Sequence, residues 1–361
     1  MKGALHAKAR SELYYPYVSV VIPMRNEERY IARCLDSVLS NDYPKDRLEI
    51  LVVDGMSTDH SREIVQDYIS RFGFIRLLDN PKRIQAAALN IGLREAKGEI
   101  IIRMDAHTFY AFDYIHQCIE LLETTEAANV GGLQRAVGEN YLSKAIAIAT
   151  TTPFGIGNAY FRYAEKEMWV DTVYLGAWRK STLKALGGFN EEWVVNEDYE
   201  LNYRLRKAGG KILLSPKIKC YYYVRPSLKA LARQYFRYGF WRAKTFVTYP
   251  DSLRWRQLAP PALVVALLMS IGILSVDWIP GVIVPALYLA ADLLVSTWIA
   301  YRRGWKYLPL LPLVFPTIHL SWGIGFLSGL FRWGIRGVGE TRRGGAEERR
   351  GRVKGEQDSE S

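Results

Sequence analysis

Cysteine is scarce in this 361-residue chain: only Cys34, Cys118 and Cys220 occur. They are widely separated and show neither the paired spacing of a redox motif nor the Cys/His spacing of a zinc site. An odd, scattered set argues against a disulfide framework and fits free thiols in a core. Glycine is plentiful but is never arranged as GxGxxG or as a P-loop with its lysine. Residues 22–30 hold neither a glycine-rich loop nor a lysine, which a nucleotidyltransferase would need there. Residues 1–17 mix polar, basic and aromatic side chains and lack the apolar core of a secretory leader, so no signal peptide is expected. Acid is nearly absent between 225 and 257. There Arg225, Lys229, Arg233, Arg237, Arg242, Lys244, Arg254 and Arg256 face a lone Asp251.

The formal net charge is +11. A basic excess of this kind serves nucleic acid, anionic lipid or phosphorylated ligands. Hydropathy is uneven: residues 1–257 read as α/β, whereas 258–331 are overwhelmingly apolar. The cations stand next to the apolar block, which favours membrane lipids over nucleic acid as the partner.

The first hundred residues alternate between two periods. Val18–Ile22, Leu48–Val53 and Ile75–Leu78 are β-branched or aliphatic runs of strand length. Between them, Glu28–Leu39, the stretch after Ser57-Thr58-Asp59, and Ile84–Ala96 have helical spacing. Pro23 should end the first strand. Ile100-Ile101-Ile102, entered from Lys97-Gly98, reads as a buried central strand. Strands and helices alternating at this period predict a doubly wound, mostly parallel sheet. After Val130 the pattern blurs. Val170–Leu175 with Gly176–Arg179 reads as a strand and turn, a helix is expected to open near Glu197, and Ile212–Leu214 and Cys220–Val224 read as two short strands separated by Pro216.

In an open α/β sheet, ligands sit beyond the carboxyl ends of the strands. Those ends carry Asn26, Glu27, Asp54 and Asp59, and then Asp105 and His107. The acceptor-rich rim suits a base N–H and ribose hydroxyls, with cations such as Lys82 or Arg83 left to neutralise phosphate. Taken singly, Asn26 and Asp59 read better as cap or turn residues. Asp105 and His107 share a face if the chain stays extended, and a carboxylate with an imidazole, water and diphosphate oxygens suits Mn²⁺ or Mg²⁺. The alternative is a strand-end Asp that starts a turn beside an exposed His. Glu197 and Asp198 sit near a helix N-terminus, where carboxylates are common dipole partners; the functional reading makes Asp198 a general base.

Residues 228–248 interleave cations and aromatics at helical spacing, as an amphipathic helix at an anionic leaflet does. Gln234 and Arg237 share one face of it. Leu258–Val276 and Ile279–Ala300 are each about long enough to cross a ~30 Å hydrocarbon core. Leu308–Phe331 is a third such segment, broken by Pro309, Pro312 and Pro316. It either crosses, leaving Arg332 and Arg336 on the far side, or bends back and keeps them near. The cations at Arg302, Arg303 and Lys306 put residues 1–257 on the cytoplasmic side. Asp292, inside the second span, should face protein or a polar cavity.

The motifs Pro23-x-x-Asn26-Glu27, Asp54-x-x-Ser57-x-Asp59, Asn80-Pro81 through Asn90, Asp105-x-His107, Gly187-Gly188-Phe189, Glu197-Asp198 and Gln234-x-x-Arg237 come in the order seen in family 2 glycosyltransferases. The chain most resembles the membrane-bound exopolysaccharide glucosyltransferases among them. The resemblance covers roughly residues 16–245. It implies a GT-A fold and an inverting, metal-dependent transfer of a hexose from a UDP-sugar donor to a lipid-linked saccharide acceptor at the cytoplasmic membrane. The rival readings are a membrane-anchored nucleotidyltransferase and a non-catalytic nucleotide-sugar-binding protein.

The resemblance also implies residue roles. Pro23, Asn26 and Glu27 would line the nucleotide pocket, Asp54 would contact uracil, and Arg83 would lie near the diphosphate. Asp105 and His107 would hold the metal, Asp198 would be the base, and Gln234 with Arg237 would match the Gln-x-x-Arg-Trp element. His107 stands where a second Asp is usual, Gly55 replaces a frequent Asp, and Tyr238 replaces Trp. The expected organisation is an arm (1–15), a catalytic domain (16–224), a basic interfacial region (225–257), spans at 258–276, 279–300 and 308–331, and a disordered charged tail (332–361).

Overall fold

The computed structural model describes residues 15–334 in full and the backbone alone from 335 to 357. The expected N-terminal arm falls, to residue 14, outside the described residues, and from 335 the charged tail falls outside those described in full. The chain divides into two units, 1–139 with 158–224, and 140–157 with 225–361.

The first unit opens with β1 (Val18–Met24), α1 (Ile31–Leu39), β2 (Leu48–Asp54), α2 (Ser61–Arg71), β3 (Ile75–Asp79), α3 (Gln85–Glu95) and β4 (Ile100–Arg103). These four strands pair in parallel in the order β3-β2-β1-β4. Every residue of β2 is buried, as a central parallel strand covered on both faces requires. Here the alternating apolar and helical pattern was a reliable guide.

Two local expectations shift. β1 runs through Pro23, whose partner is Val53 on β2. The pairing with β4 stops at Val21, so the missing Pro23 N–H leaves no ladder bond unmade on that side. The first helix starts at Ile31 rather than Glu28, because Tyr30 and Ile31 N–H donate to the Glu27 carbonyl and tighten the entry turn.

The entry to β4 is fixed by a buried polar knot. Glu49 accepts from Ser19 Oγ and from Lys97 N–H, both at 2.5 Å. Gly98 N–H in turn donates to Ser19 Oγ at 2.8 Å. A Cβ at Gly98 would lie 2.5 Å from Ser19 N, so the turn feeding β4 has room only for glycine.

The chain continues through β5 (Thr108–Tyr110), α4 (Tyr114–Thr124) and β6 (Ala127–Val137). It then leaves for α5 (Tyr141–Ala149) and α6 (Pro153–Ile156) of the second unit and returns at β7 (Met168–Trp169). Next come β8 (Ala177–Arg179), α7 (Lys180–Ala185), α8 (Glu197–Lys207) and β9 (Lys211–Tyr223). This half of the sheet is mixed: β8 is antiparallel to β4 and β6, β9 is parallel to β6, and β5 is antiparallel to β9.

Residues 170–176 are not a strand, and the two short strands expected around Pro216 are one. β9 bulges there: its register on β6 steps from Gly132↔Ser215 to Leu133↔Lys219, which removes Pro216 from the ladder without ending the strand. All three cysteines are buried and free, as expected.

The second unit is helical: α5, α6, α9 (Leu228–Thr248), α10 (Ala259–Leu274), α11 (Trp278–Arg303) and α12 (Leu311–Gln357). Three stretches, Trp255–Leu274, Trp278–Arg303 and Leu311–Gly334, are long and apolar enough to cross a membrane. The third starts beyond Pro309 and takes Pro312 into its first turn, where proline is tolerated. Asp292 is fully buried and accepts from Ser296 Oγ at 3.1 Å, so it faces protein. In α9, buried Arg242 donates to the Ser252 carbonyl (2.7 Å) and to Gln257 Oε1 (2.8 Å), which fixes the loop leading to α10.

Candidate active site

The strand order reverses at β1: β2 lies on one side and β4 on the other. Both neighbouring strands are parallel to it, and open α/β sheets take their ligands beyond the carboxyl ends of the strands at such a point. Three loops meet this rim, Arg25–Tyr30 after β1, Gly55–His60 after β2, and Met104–His107 after β4.

The first two loops are stitched together. Asn26, held at a left-handed φ of 54°, accepts from Thr58 N–H at 2.8 Å and donates its own N–H to Ser57 Oγ at 2.9 Å. Glu27 N–H donates to Ser61 Oγ at 2.7 Å. Asp59, expected as a cap, accepts from Ser61 N–H at 3.0 Å. Asp54 is fully buried. Its carboxylate accepts from Ser57 N–H and Oγ and from Arg62 Nη1 at 2.6 Å, so it orders the loop from beneath. Pro23 is half-buried at the end of β1, and Arg83 is exposed at a left-handed φ of 58°.

The third loop carries the acid and the imidazole. Asp105 is 4 % exposed. Its Oδ1 accepts from Arg103 Nε and Gln85 Nε2, both at 3.2 Å, and its Oδ2 accepts from the Tyr174 hydroxyl. Burial alone would raise the Asp105 pKa. Arg103, His107 and Tyr174 more than offset it, and the pKa falls below the ordinary carboxylate value. His107 Nδ1 lies 3.0 Å from Glu27 Oε1. A carboxylate on one ring nitrogen orients an imidazole to ligate through the other.

The donor set therefore fits a divalent cation. His107 offers a carboxylate-oriented ring, and Asp105 Oδ2 keeps acceptor capacity beside its bond to Tyr174. Among the described residues, no group of three His, Cys, Asp or Glu side chains is placed to hold a metal, so further ligands would be substrate oxygens or water.

The fourth component arrives from α8. Asn196, at a left-handed φ of 65°, turns the chain into the helix, a conformation asparagine tolerates better than most residues. Glu197 is buried, and its Oε1 lies 3.0 Å from Arg103 Nη1. Burial, with a smaller push from Asp198 and against the pull of Arg103, raises the Glu197 pKa to about 7. Burial also raises the pKa of Asp198, with Arg103 opposing and Asp105 adding. Asp198 is half-buried and its Oδ1 accepts from Tyr199 N–H at 2.7 Å. Arg103 itself stays charged, because its acidic neighbours outweigh the cost of its burial.

The base of α8 is held by a second set of bonds. Arg204 grips Glu200 through Nε and Nη2 (2.7 and 2.8 Å) and donates to the carbonyls of Leu186 (2.5 Å) and Gly188 (2.8 Å). Asn90 exchanges bonds with both backbone polar groups of Phe189, each at 2.8 Å, and reaches Glu191 at 3.0 Å. The Gly187-Gly188-Phe189 motif is thus the strap that carries Glu197 and Asp198.

Arg103, Gln85, Tyr174, Glu200 and Arg204 were not singled out from the sequence. Only Arg103 left a signal there, as a charge closing an otherwise apolar strand. Gln234 and Arg237 lie on α9 in the second unit, where Gln234 Nε2 donates to the Tyr238 hydroxyl at 3.0 Å.

Residues 19–185 match the sequence profile of glycosyl transferase family 2. Succinoglycan biosynthesis protein ExoA of Rhizobium meliloti is 34% identical over 309 residues, covering 85% of this chain and 93% of that protein. The dolichyl N-acetyl-alpha-D-glucosaminyl phosphate 3-beta-D-2,3-diacetamido-2,3-dideoxy-beta-D-glucuronosyltransferase of Methanococcus voltae is 29% identical over 326 residues, covering 88% of this chain and 98% of that protein. Among solved structures, the mannosyltransferase PcManGT from Pyrobaculum calidifontis, in complex with GDP-Man and Mn²⁺, superposes with a TM-score of 0.56 at 21% identity, covering 88% of this chain and 94% of that one. With the mixed sheet and the rim just described, these likenesses place the chain in glycosyl transferase family 2, as an enzyme of the GT-A fold.

Proposed function

We propose that this enzyme moves a hexose, glucose in the first instance, from a UDP-sugar to a polyprenyl-linked saccharide in the synthesis of a cell-surface polysaccharide. One observation carries the reading: the buried Arg103 joins the Asp105–His107 loop to the Glu197–Asp198 helix end at the switch point of the sheet. That is the juxtaposition a direct displacement needs, with donor-diphosphate groups on one side and a proton acceptor on the other.

Pro23, Asn26 and Glu27 line the nucleotide end, and Asp54 holds the loop that meets the base. Arg83 stands at the diphosphate. Asp105 and His107 would hold Mn²⁺ or Mg²⁺, whose charge stabilises the diphosphate as it departs. Asp198 takes the proton of the acceptor hydroxyl as its oxygen bonds to the sugar C1. The C1–oxygen bond to UDP breaks with its electron pair leaving on UDP, and attack from the opposite face inverts the anomeric carbon.

Arg103 keeps Asp105 ionised, while burial keeps Asp198 basic enough to accept a proton. The ExoA and dolichyl-linked relatives support an acceptor in polysaccharide or lipid-linked glycan synthesis. The apolar helices support an acceptor in the same plane, which raises its effective concentration. The cations at Arg302, Arg303 and Lys306 support a cytoplasmic catalytic unit.

The test is turnover of the full-length protein in lipid with a panel of UDP-sugars, Mn²⁺ and a polyprenyl-diphosphate-linked saccharide. Release of UDP matched by a lengthened lipid-linked product is the expected result. Pyrophosphate release would favour nucleotidyl transfer, and donor binding without turnover would favour a binding protein; either contradicts the proposal.

A further inference from the structure

The loop after β2 is held in a strained form. Met56 has a left-handed φ of 59°, an uncommon conformation for a long side chain, and strain of this kind gathers at ligand clamps. The Met56 side chain buries little in return, for the residue is 38% exposed. Asp54 keeps the loop in this form from beneath, by accepting from the Ser57 N–H and hydroxyl. An apolar thioether is left standing at the rim.

Asp54 has no exposed surface of its own. Its oxygens are taken by Ser57 and by Arg62. It pairs in register with Asp79, so two acids end neighbouring strands at the same rim. Arg62, the second residue of α2, sits between them. Its Nη1 donates to Asp54 Oδ2 at 2.6 Å and to Asp79 Oδ1 at 2.8 Å. Both bonds use one nitrogen. Arg62 Nη2 and Nε, and Asp79 Oδ2, have no partner among the described residues. The Arg62 side chain is 37% exposed and that of Asp79 63%. The loop behind them is fixed: Asn80 N–H donates to the Asp54 carbonyl at 2.8 Å and Asn80 Nδ2 to the Ile84 carbonyl at 2.9 Å.

A donor fixed beside an acceptor is the complement of a C=O next to an N–H. Uracil offers that pair at O4 and N3–H, and guanine at O6 and N1–H. Cytosine and adenine reverse it, with an amino donor beside a bare ring nitrogen. Proteins that recognise a single base read this edge with hydrogen bonds and hold the ring against apolar side chains. A thioether against an aromatic ring is a favourable contact.

We propose that Arg62 and Asp79 read the edge of the donor's base and that Met56 carries the face of its ring. Arg62 donates to uracil O4 and Asp79 accepts from N3–H. Asp54 serves only to hold Arg62 and the loop. The assignment rests on the nucleotide-sugar donor proposed above and names the residues that choose its base: uracil or guanine is taken, cytosine and adenine are refused.

Binding of UDP, GDP, CDP and ADP to the full-length protein with Mn²⁺, measured by calorimetry, tests it without turnover. The wild type should bind UDP at least about 10-fold more tightly than CDP or ADP, the order of one good base contact. Asp79→Asn alters an exposed side chain and leaves Arg62 on Asp54. It should weaken UDP about 10- to 100-fold and CDP little, so that the preference collapses; a merely structural role would weaken both alike. Met56→Gly should weaken UDP while the melting temperature holds or rises, because glycine takes this φ without strain. Full UDP affinity in Met56→Gly would remove Met56 from the site. An unchanged UDP-to-CDP ratio in Asp79→Asn would overturn the base-reading pair and leave the UDP-sugar reading standing. A wild type that prefers GDP, and loses that preference in Asp79→Asn, would support the pair and overturn the uridine donor. Preference for CDP or ADP, or binding of none of the four, would overturn both.

Discussion

Arg103 Nη1 lies 3.0 Å from Glu197 Oε1, and both side chains are almost wholly buried. The pair ties the end of β4 to the first turn of α8. Without the cation, Asp105 and Glu197 would be left as buried acids without their counter-charge.

Arg103→Met should therefore destabilise the catalytic unit by roughly 3–5 kcal/mol, the usual range for breaking a buried pair from one side. Arg103→Lys should recover part of that. Denaturant titration followed by tryptophan fluorescence checks the order wild type, Lys, Met. Equal midpoints for wild type and Met would show that the pair is not structural.

The raised Glu197 pKa has a definite sign. A carboxyl held at about 7 instead of 4.5 binds its proton more tightly folded than unfolded. Its contribution is fully present below pH 4.5 and is lost as pH rises through about 7. Asp105, held below its ordinary value, acts oppositely and loses its contribution as pH falls. Glu197→Gln should flatten the decline of thermal stability between about pH 4.5 and 7, as read by a melting series across that range. An unchanged slope would remove Glu197 as its source.

Glu27 orients the His107 ring from 3.0 Å. Glu27→Gln should weaken Mn²⁺ affinity about 10- to 100-fold, as lost partners of a ligating histidine commonly do. A Mn²⁺ titration monitored by donor binding measures it. Unchanged affinity would show that His107 is not a ligand.

Asn90 bonds Phe189 through both backbone groups. Asn90→Ala should cost about 1–3 kcal/mol through the buried groups left unpaired, together with a lower turnover because the strap carries Asp198. Thermal melting and the rate are measured on one preparation. A full melting temperature with full activity would contradict the role given to this loop.

The parallel half of the fold was legible because its strands are buried on both faces: Val18–Ile22, Leu48–Val53 and Ile100–Ile102 are unbroken apolar runs, and each leads to a strand-end loop that carries polar residues of the rim. β6 was not legible. Its Gly131-Gly132 pair reads as a break, yet a Cβ at Gly132 would lie 2.0 Å from the Ile218 carbonyl oxygen, so the glycine is there to let β9 pass. Pro216 misled in the same way, because a bulge can absorb a proline that sequence pattern treats as an end.

Asp105, His107 and Asp198 stood out as polar groups at element ends. Tyr174 and Gln85 did not. Their role comes only from facing Asp105 across the fold, and no local pattern encodes a partner that distant in sequence.

The most direct measurement is single-turnover transfer by Asp198→Asn with donor affinity recorded alongside. The account predicts a loss of about 10²–10⁴ in rate, the share a positioned base supplies, with donor binding nearly unchanged. Transfer at close to the wild-type rate would contradict it.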